Sequence, residues 1–597
     1  MSTTVLTFDR DRRPDGAALR PPAMARRRAV MLALVAATCA VLFAGMLRLM
    51  GYGGLVRTEI VMLVPFVLTL PWLAIGFWNA VIGLVLTLRH ADPAVAVTPQ
   101  LARVTGSEPI TTRTAIVMPV RNESAEAALA RLEQVQRALW RTAHGTRFDF
   151  HVLSDTSDPA IAAREERSVA AWRARAPGVQ VFYRRRSENT GFKAGNIAEF
   201  VRRCRDDYDF FLPLDADSVM GAEAVLRLVR VMQASPEAGM LQGLVVGTPA
   251  RSLFTRAFQF GMRHGMRSFT LGSAWWQGDC GPNWGHNVLI RMAPFHDHCL
   301  LEPIPGRGVL AGDIMSHDQV EAVLMRRAGF ETRVLADEDD SFEDNPPSLP
   351  DFIARELRWC NGNMQYLRLL ALPGLKPLSR VQLALAVLMY VSPAAWFAFM
   401  LIGAGLAGTG QQFADVPLAE GLAFFAAVMA LNLAPKAMGL AQVLVSRAEA
   451  ARYGGRGRVV LGAAAETVFS MLIAPAVAFA ITLGVVRLAM GRRMAWDAQS
   501  RDRDRLRWSE AARSLWPQTV AGVSLTVWLV ATAPWAMWFA LPVLAALVLA
   551  VPVAVLTTWP RAGAWTAQTG LFAIPEERDS RDGGTRPRTG RQLRRAA

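Results

Sequence analysis

Cysteine is scarce, five in 597 residues. Cys39, Cys204, Cys280, Cys299 and Cys360 fall in no CxxC or other metal-type spacing. That excludes a zinc module and a disulfide framework, and it leaves free thiols of a reducing compartment. Charge is scarce as well. Asp, Glu, Lys and Arg make up 19% of the chain against 52% hydrophobic residues, and the mean hydropathy is positive. A wholly water-soluble protein is excluded.

The missing charge is concentrated in long runs: Ala29 to Met46, Ile60 to Leu88, Val381 to Ala414, Gly421 to Pro435 with its continuation, and Pro517 to Pro560. Each is long enough to cross a bilayer, and the last predicts two spans broken near Pro534. Between Leu88 and Val381 the composition is ordinary, so a globular domain is inserted between two membrane blocks. The loop "GTGQQFADVPLAEG" has no Lys or Arg and is placed outside. The net charge of +15 sits in "DRDRRPDGAALRPPAMARRR", "SRAEAARYGGRGR", "GRRMAWDAQSRDRDRLRW" and the end of the chain. These flank apolar runs as cytoplasmic loops do, so no nucleic-acid partner is expected. Basic loops on both sides of residues 459–488, with Pro475 near the middle, predict a re-entrant or broken element there. Glu466 inside it reads as a helix-end residue at the interface or as a polar group lining a pore.

The expected division is a basic cytoplasmic N-terminus over 1–28, two transmembrane helices over 29–90 and a cytoplasmic catalytic domain over 91–348. An amphipathic interface helix over 349–375 follows, then transmembrane helices with basic cytoplasmic loops over 376–560 and a basic tail over 561–597. From Thr114 onward, "TAIVMPV", "FDFHVLSD", "VQVFYRRR" and "YDFFLPLD" alternate with helical patterns. Alternation of this kind argues for an α/β domain with a mostly parallel sheet, its ligand at the carboxyl ends of the strands. The polar stretches "RNES", "SDTSD", "SENTGFKAGN" and "DADS" fall at those ends.

Asp215 and Asp217 stand two apart, so on a strand both carboxylates face one point. Like charges held that close repel unless a cation sits between them, and a magnesium or manganese ion, Mg2+ or Mn2+, satisfies this with one or two carboxylates plus substrate phosphates. The plain alternative makes Asp217 the cap of the following helix and Asp215 a solvated loop residue.

"IVMPVRNE", "LSDTSD", "GFKAGN", "LDADS", "GHNVLIR", "SHDQVEA" and "RELRW" occur in the order and spacing of the family 2 inverting glycosyltransferases of GT-A fold, the plan shared by cellulose and hyaluronan synthases. "SHDQVEAVLMRRAGF" and "RELRWCNGNMQY" most resemble the glucans biosynthesis glucosyltransferase H family, which makes osmoregulated periplasmic glucans. The resemblance implies a GT-A (nucleotide-diphospho-sugar transferase) domain inserted in a multi-pass α-helical membrane domain of the bacterial inner membrane. It also implies contact of Asp155 with uridine, and a donor pocket lined by Asn122 and Glu123, whose other reading is a solvated turn capping the next helix. Lys193 would face the diphosphate, with Gly191 and Gly195 admitting the backbone. Asp215 and Asp217 would hold the metal and the nucleotide. Asp318 would be the general base, with a second role as N-cap of the helix that follows, and His317 stands where many relatives have Glu. Arg355, Arg358 and Trp359 share a helix side; Arg pairs with diphosphate and Trp stacks on the acceptor sugar. Asn287 and Arg291 would order the acceptor side, while His286 reads equally as a structural histidine.

The partners implied are UDP-glucose, a growing glucan chain, membrane lipid and other periplasmic glucan proteins. Alternatives are a cellulose-like or hyaluronan-like synthase, a glycolipid glycosyltransferase, or a polymer-export scaffold whose domain only binds nucleotide. A short C-terminal tail without the matching motif argues against the cyclic-di-GMP-regulated cellulose plan.

Overall fold

A computed structural model describes residues 22–408, 416–492 and 505–581. The first part of the basic N-terminus, the loop at 409–415, most of the basic loop at 493–504 and the end of the tail lie outside the described residues.

Among the described residues eight strands form one sheet: β1 (Thr114–Val120), β2 (Phe148–Ser154), β3 (Val181–Arg185), β4 (Phe210–Pro213), β5 (Val219–Met220), β6 (Ala238–Gly247), β7 (Val288–Arg291) and β8 (Glu331–Glu343). Their order is β3-β2-β1-β4-β7-β6-β8-β5. The first four are parallel as predicted. The far half is not: β7 runs antiparallel to β4 and β6, and β5 antiparallel to β8, while β6 and β8 are parallel. The sheet is therefore mixed, a correction to the mostly parallel reading. Its two-residue period sends the residues of β1 to separate cores. Ile116, Met118 and Val120 pack with the helices Ala125–Trp140 and Ala222–Gln233, whereas Ala115 and Val117 pack with Phe192–Cys204 and Asp318–Arg327.

Among the described residues six helices are long and apolar enough to cross a membrane: Ala23–Met50, Arg57–Arg89, Pro377–Gly408, Leu418–Val445, Arg456–Ala489 and Trp508–Thr532. A seventh candidate is the pair Pro534–Val548 and Ala550–Thr557, bent by 56° and starting at the proline where the break was predicted. The segment 459–488 is one continuous helix, not a broken one, and it contains Pro475. Glu466 is neither at a helix end nor open to a pore. It is buried and accepts from Lys436 Nζ at 2.6 and 2.7 Å and from Ser470, a pairing that offsets the cost of a carboxylate at that depth.

The sheet is joined to these helices by Leu253–Gln277, which sequence periodicity did not single out. Its glycines set the distance. A Cβ on Gly83 would overlap the Ser268 carbonyl, and one on Gly272 would overlap the Asn79 carbonyl, so the two helices meet backbone to backbone. Trp276 Nε1 donates to Asn79 Oδ1 at 2.9 Å across the same seam. The C-terminal segment is not a free basic tail up to Arg581. Helices Pro560–Thr569 and Pro575–Arg581 fold back, and Glu576 and Glu577 reach the buried Arg263 and Arg256 of that connecting helix.

Candidate active site

Loops at the carboxyl ends of β1, β2, β3 and β4 open onto a cavity of about 1950 Å³ that continues between the apolar helices, where Trp72, Met266 and Met389 line it. That exceeds the roughly 300–1,000 Å³ of a small-molecule pocket, so there is room for more than a nucleotide sugar.

The "DADS" turn is a turn and not a strand: β4 ends at Pro213 and the Ser218 amide donates to the Asp215 carbonyl at 2.9 Å. Both carboxylates line the cavity. The helix-cap alternative for Asp217 is excluded, because β5 intervenes and Gly221 is the N-cap of the next helix. Asp217 is buried while Asp215 is part-exposed. The Asp215 carboxylate is met by the ammonium of Lys193, which also donates to the Gly285 carbonyl at 2.9 Å. Burial works against the Lys193 charge, but Asp215, with Asp318 and Glu321 nearby, outweighs it and raises the pKa.

Among the described residues no three His, Cys, Asp or Glu side chains gather to cage a metal. A pair of hard carboxylate oxygens open to a roomy cavity fits a divalent ion whose remaining ligands are water and substrate phosphate.

Asp155, expected to touch uridine, has its carboxylate taken by Arg186, which donates from Nε and Nη2 at 2.7 Å each. Arg186 also donates to the carbonyls of Thr190 and Phe192 at 3.0 Å. The pair therefore shapes the loop that presents Lys193. Gly195 serves the same loop, since a Cβ there would overlap the Thr190 carbonyl. Asn122 has a left-handed φ of 54°. Its side chain clasps the loop after β2, accepting from the amides of Ser157 and Asp158 at 3.0 and 3.1 Å and donating to Ser157 Oγ. Ser124, not Asn122, caps the following helix, and Asp158 caps the next one by accepting from Ala160 and Ile161. Glu123 lines the cavity beside Asn122.

Asp318 lines the cavity as the first residue of its helix; the N-cap position belongs to His317. A carboxylate there is favoured by the helix dipole. Gly285, with φ of 81°, stands between this residue and the donor side: a Cβ on it would sit 3.3 Å from the Asp318 Cβ. Beneath the helix start, His317 Nδ1 lies 2.8 Å from Glu321 Oε1, the Asn283 amide donates to Glu321 Oε2 at 3.3 Å, and Asn283 Oδ1 accepts from the Gly285 amide at 2.8 Å. Burial pushes the Glu321 carboxyl up, and Glu321 in turn overcomes burial to raise His317, so the two groups titrate as a coupled pair. The "SHD" loop is clamped from the far side, where Tyr366 Oη donates to the Ser316 carbonyl at 2.7 Å and Gln365 takes up the Met315 amide and the Asp313 carbonyl.

Arg355, Arg358 and Trp359 line the cavity from the helix Leu349–Met364. The Arg355 guanidinium lies 4.7 Å from the Trp359 ring centroid and 5.1 Å from that of Phe352, so an aromatic sandwich fixes it. Trp359 keeps 45% of its surface exposed, enough for a sugar face to stack on.

Asn287, expected on the acceptor side, does not line the cavity. It is fully buried with φ of 53°, and its amide donates to Ser341 Oγ at 2.8 Å. Arg291 is likewise structural, donating to the carbonyls of Ala238, Met232 and Ser235. His286 does face the cavity. Its Nε2 is 3.1 Å from Glu343 Oε2, and although burial lowers it, Glu343 prevails and the imidazole is pushed up to about 9. Sequence reasoning missed Arg186, Asn283, Glu321, Glu343 and the Gln365–Tyr366 clamp. The last lies inside the quoted "CNGNMQY"; Arg186 is hidden in a run of three arginines.

Residues 115–299 match the glycosyl transferase family 2 profile, and residues 210–432 the profile described as glycosyl transferase family group 2. The chain carries a family 2 glycosyltransferase domain. Together with the sheet, this bears out the GT-A fold expectation. The chain is similar to curated relatives named glucans biosynthesis glucosyltransferase H. That of Pseudomonas entomophila is 36% identical over 536 residues, 86% of this chain and 62% of the relative, and that of Pseudomonas aeruginosa is 36% identical over 534 residues, 86% and 61%. The chain thus spans a little over three-fifths of the length of these relatives. Among solved structures, a mannosyltransferase from Pyrobaculum calidifontis in complex with GDP-Man and Mn2+ is 14% identical, covering 61% of this chain and 98% of its own, with a TM-score of 0.38.

Proposed function

We propose that this family 2 domain is a processive inverting glucosyltransferase. It takes UDP-glucose on the cytoplasmic side of a bacterial inner membrane, extends a β-glucan, with the β-1,2 backbone of osmoregulated periplasmic glucans as the expected product, and passes the chain between its own apolar helices. One observation carries the reading: the Gly285 loop accepts from Lys193 on the Asp215 side and is tied through Asn283 and Glu321 to the helix that begins at Asp318, within a cavity that runs on between long apolar helices. A base and a stabilised leaving group flanking one point are what a single displacement requires.

Asp318 would take the proton of the attacking hydroxyl while Lys193, Arg355 and Arg358 face the diphosphate. Trp359 would stack on the acceptor sugar. A magnesium or manganese ion on Asp215 and Asp217 would offset charge on the departing UDP. With the metal bound there, Lys193 would turn from Asp215 to the phosphates. Homologues named for glucan synthesis support the choice of glucose. Membranes containing the protein, incubated with individual radiolabelled UDP-sugars, should incorporate glucose alone, and linkage analysis should return β-1,2 bonds. Incorporation of another sugar, or nucleotide binding without turnover, defeats the proposal.

A further inference from the structure

Beyond the catalytic carboxylates, one wall of the cavity is built from uncharged amides. Asn345 is 8% exposed and Gln259 1% exposed, and both line it. Neither amide atom of Asn345 has a hydrogen-bond partner, nor does Oε1 of Gln259, whose Nε2 donates to the Thr248 carbonyl at 2.7 Å. Gly247 brings the two together: a Cβ there would lie 2.5 Å from each amide nitrogen. Two prolines, Pro346 and Pro347, follow Asn345 and restrict its backbone to extended conformations. The strand end that carries Asn345 adjoins the reacting groups. Glu343 pairs with His286, and Arg131 donates both to Asp344 and, at 3.0 Å, to the carbonyl of Ala216 between the two metal-site aspartates.

A buried amide without partners costs stability that an apolar side chain of the same shape would not. Held rigidly at a cavity wall, it is a donor and an acceptor awaiting a ligand. Being neutral, an amide pair complements adjacent hydroxyls and offers nothing special to phosphate. We propose that Asn345 and Gln259 form a subsite for the hydroxyls of a hexose unit, either the sugar of the donor or a unit of the growing chain. The assignment rests on the glycosyltransferase reading above.

The test uses the full chain in detergent with the variants Asn345→Leu and Gln259→Met. UDP release is followed at varied UDP-glucose, with and without added β-linked gluco-oligosaccharide. A donor-sugar contact is expected to raise the KM for UDP-glucose at least fivefold. A growing-chain contact is expected instead to abolish stimulation by the oligosaccharide and shorten the product. In either case the thermal unfolding temperature of Asn345→Leu stays level or rises, because a partnerless amide has been removed, whereas an internal structural role would lower it; Gln259→Met also loses the bond to the Thr248 carbonyl and is read by its kinetics and product length. Kinetics and product length within twofold of the parent for both variants would mean that the amides hold only water, and the subsite would be wrong. Should Asn345→Leu not fold, Gln259→Met decides alone. If the parent protein releases no UDP from any sugar nucleotide, the enzymatic reading fails separately. The subsite is then read by oligosaccharide-induced thermal stabilisation of the parent and its loss in the variants; no stabilisation overturns it.

Discussion

The ammonium of Lys193 binds the carboxylate of Asp215 and, at 2.9 Å, the carbonyl of Gly285. A cation thus already sits beside the paired aspartates, and it is hung from the loop that passes in front of Asp318. On the proposed reading, the donor-side cation is thus anchored to the loop that neighbours the proposed base.

Removing the proposed base should leave binding intact. Asp318→Asn is expected to reduce UDP release by about 10²–10⁴-fold while UDP affinity, measured by titration calorimetry, stays within threefold. Turnover near the parent rate would show that another group takes the proton.

The Asp155–Arg186 pair is a shaping contact for the Lys193 loop, so its loss acts on donor binding. Arg186→Ala should raise the KM for UDP-glucose about tenfold with a smaller change in kcat. The companion variant Asp155→Asn should do the same, and the double variant should be no worse than either single one, a coupling read by a mutant cycle.

Glu321 and Asn283 tie the Asp318 helix to the Gly285 loop. Glu321→Ala and Asn283→Ala should each lower kcat more than they raise the donor KM. Their combined effect should fall short of the sum by about 0.5–3 kcal/mol, the range seen for residues in one network. Additive losses would dissolve the network.

His286 is raised from its ordinary value to about 9 by Glu343. A histidine whose folded pKa lies above its unfolded one adds stability that is fully present below about pH 6.5 and fades as pH climbs through 9. The unfolding-temperature gap between the parent and His286→Gln should accordingly be widest near pH 6 and narrow toward pH 9.5. A gap that widens on the alkaline side would reverse the charge assignment.

The backbone contact at Gly272 leaves no room for a side chain. Gly272→Leu should force the connecting helix off Arg57–Arg89 and lower the unfolding temperature by several degrees, whereas an alanine at Gly265, where an added Cβ would meet nothing within 4 Å, should be tolerated.

The parallel half of the sheet was legible because each strand is followed by a helix of different period. The other half was not. β8 carries "ADEDD", an acidic run without apolar alternation, and Arg227 pairs with Asp337 and Asp339 along that strand. β7 has only four residues, too few to show alternation. At the site, Asp215 and Asp217 announce themselves by spacing, Asp318 and Trp359 by the family resemblance, and all four reach one cavity. Asn287 belongs to an equally conspicuous "GHN" but has gone into the interior, because its left-handed backbone turns the amide toward Ser341. Sequence spacing tells which residues travel together; it does not tell which side of a tight turn each ends on.

The glycine seam between Leu253–Gln277 and Arg57–Arg89 also restricts how a polymer might be driven forward. Two helices in main-chain contact cannot ratchet past each other by a turn without collision, so the sheet and the apolar bundle are geared together as one body. On the proposed reading, each advance of the product would then be generated inside the cavity, by loops and side chains changing place, and not by the sheet rocking upon the bilayer.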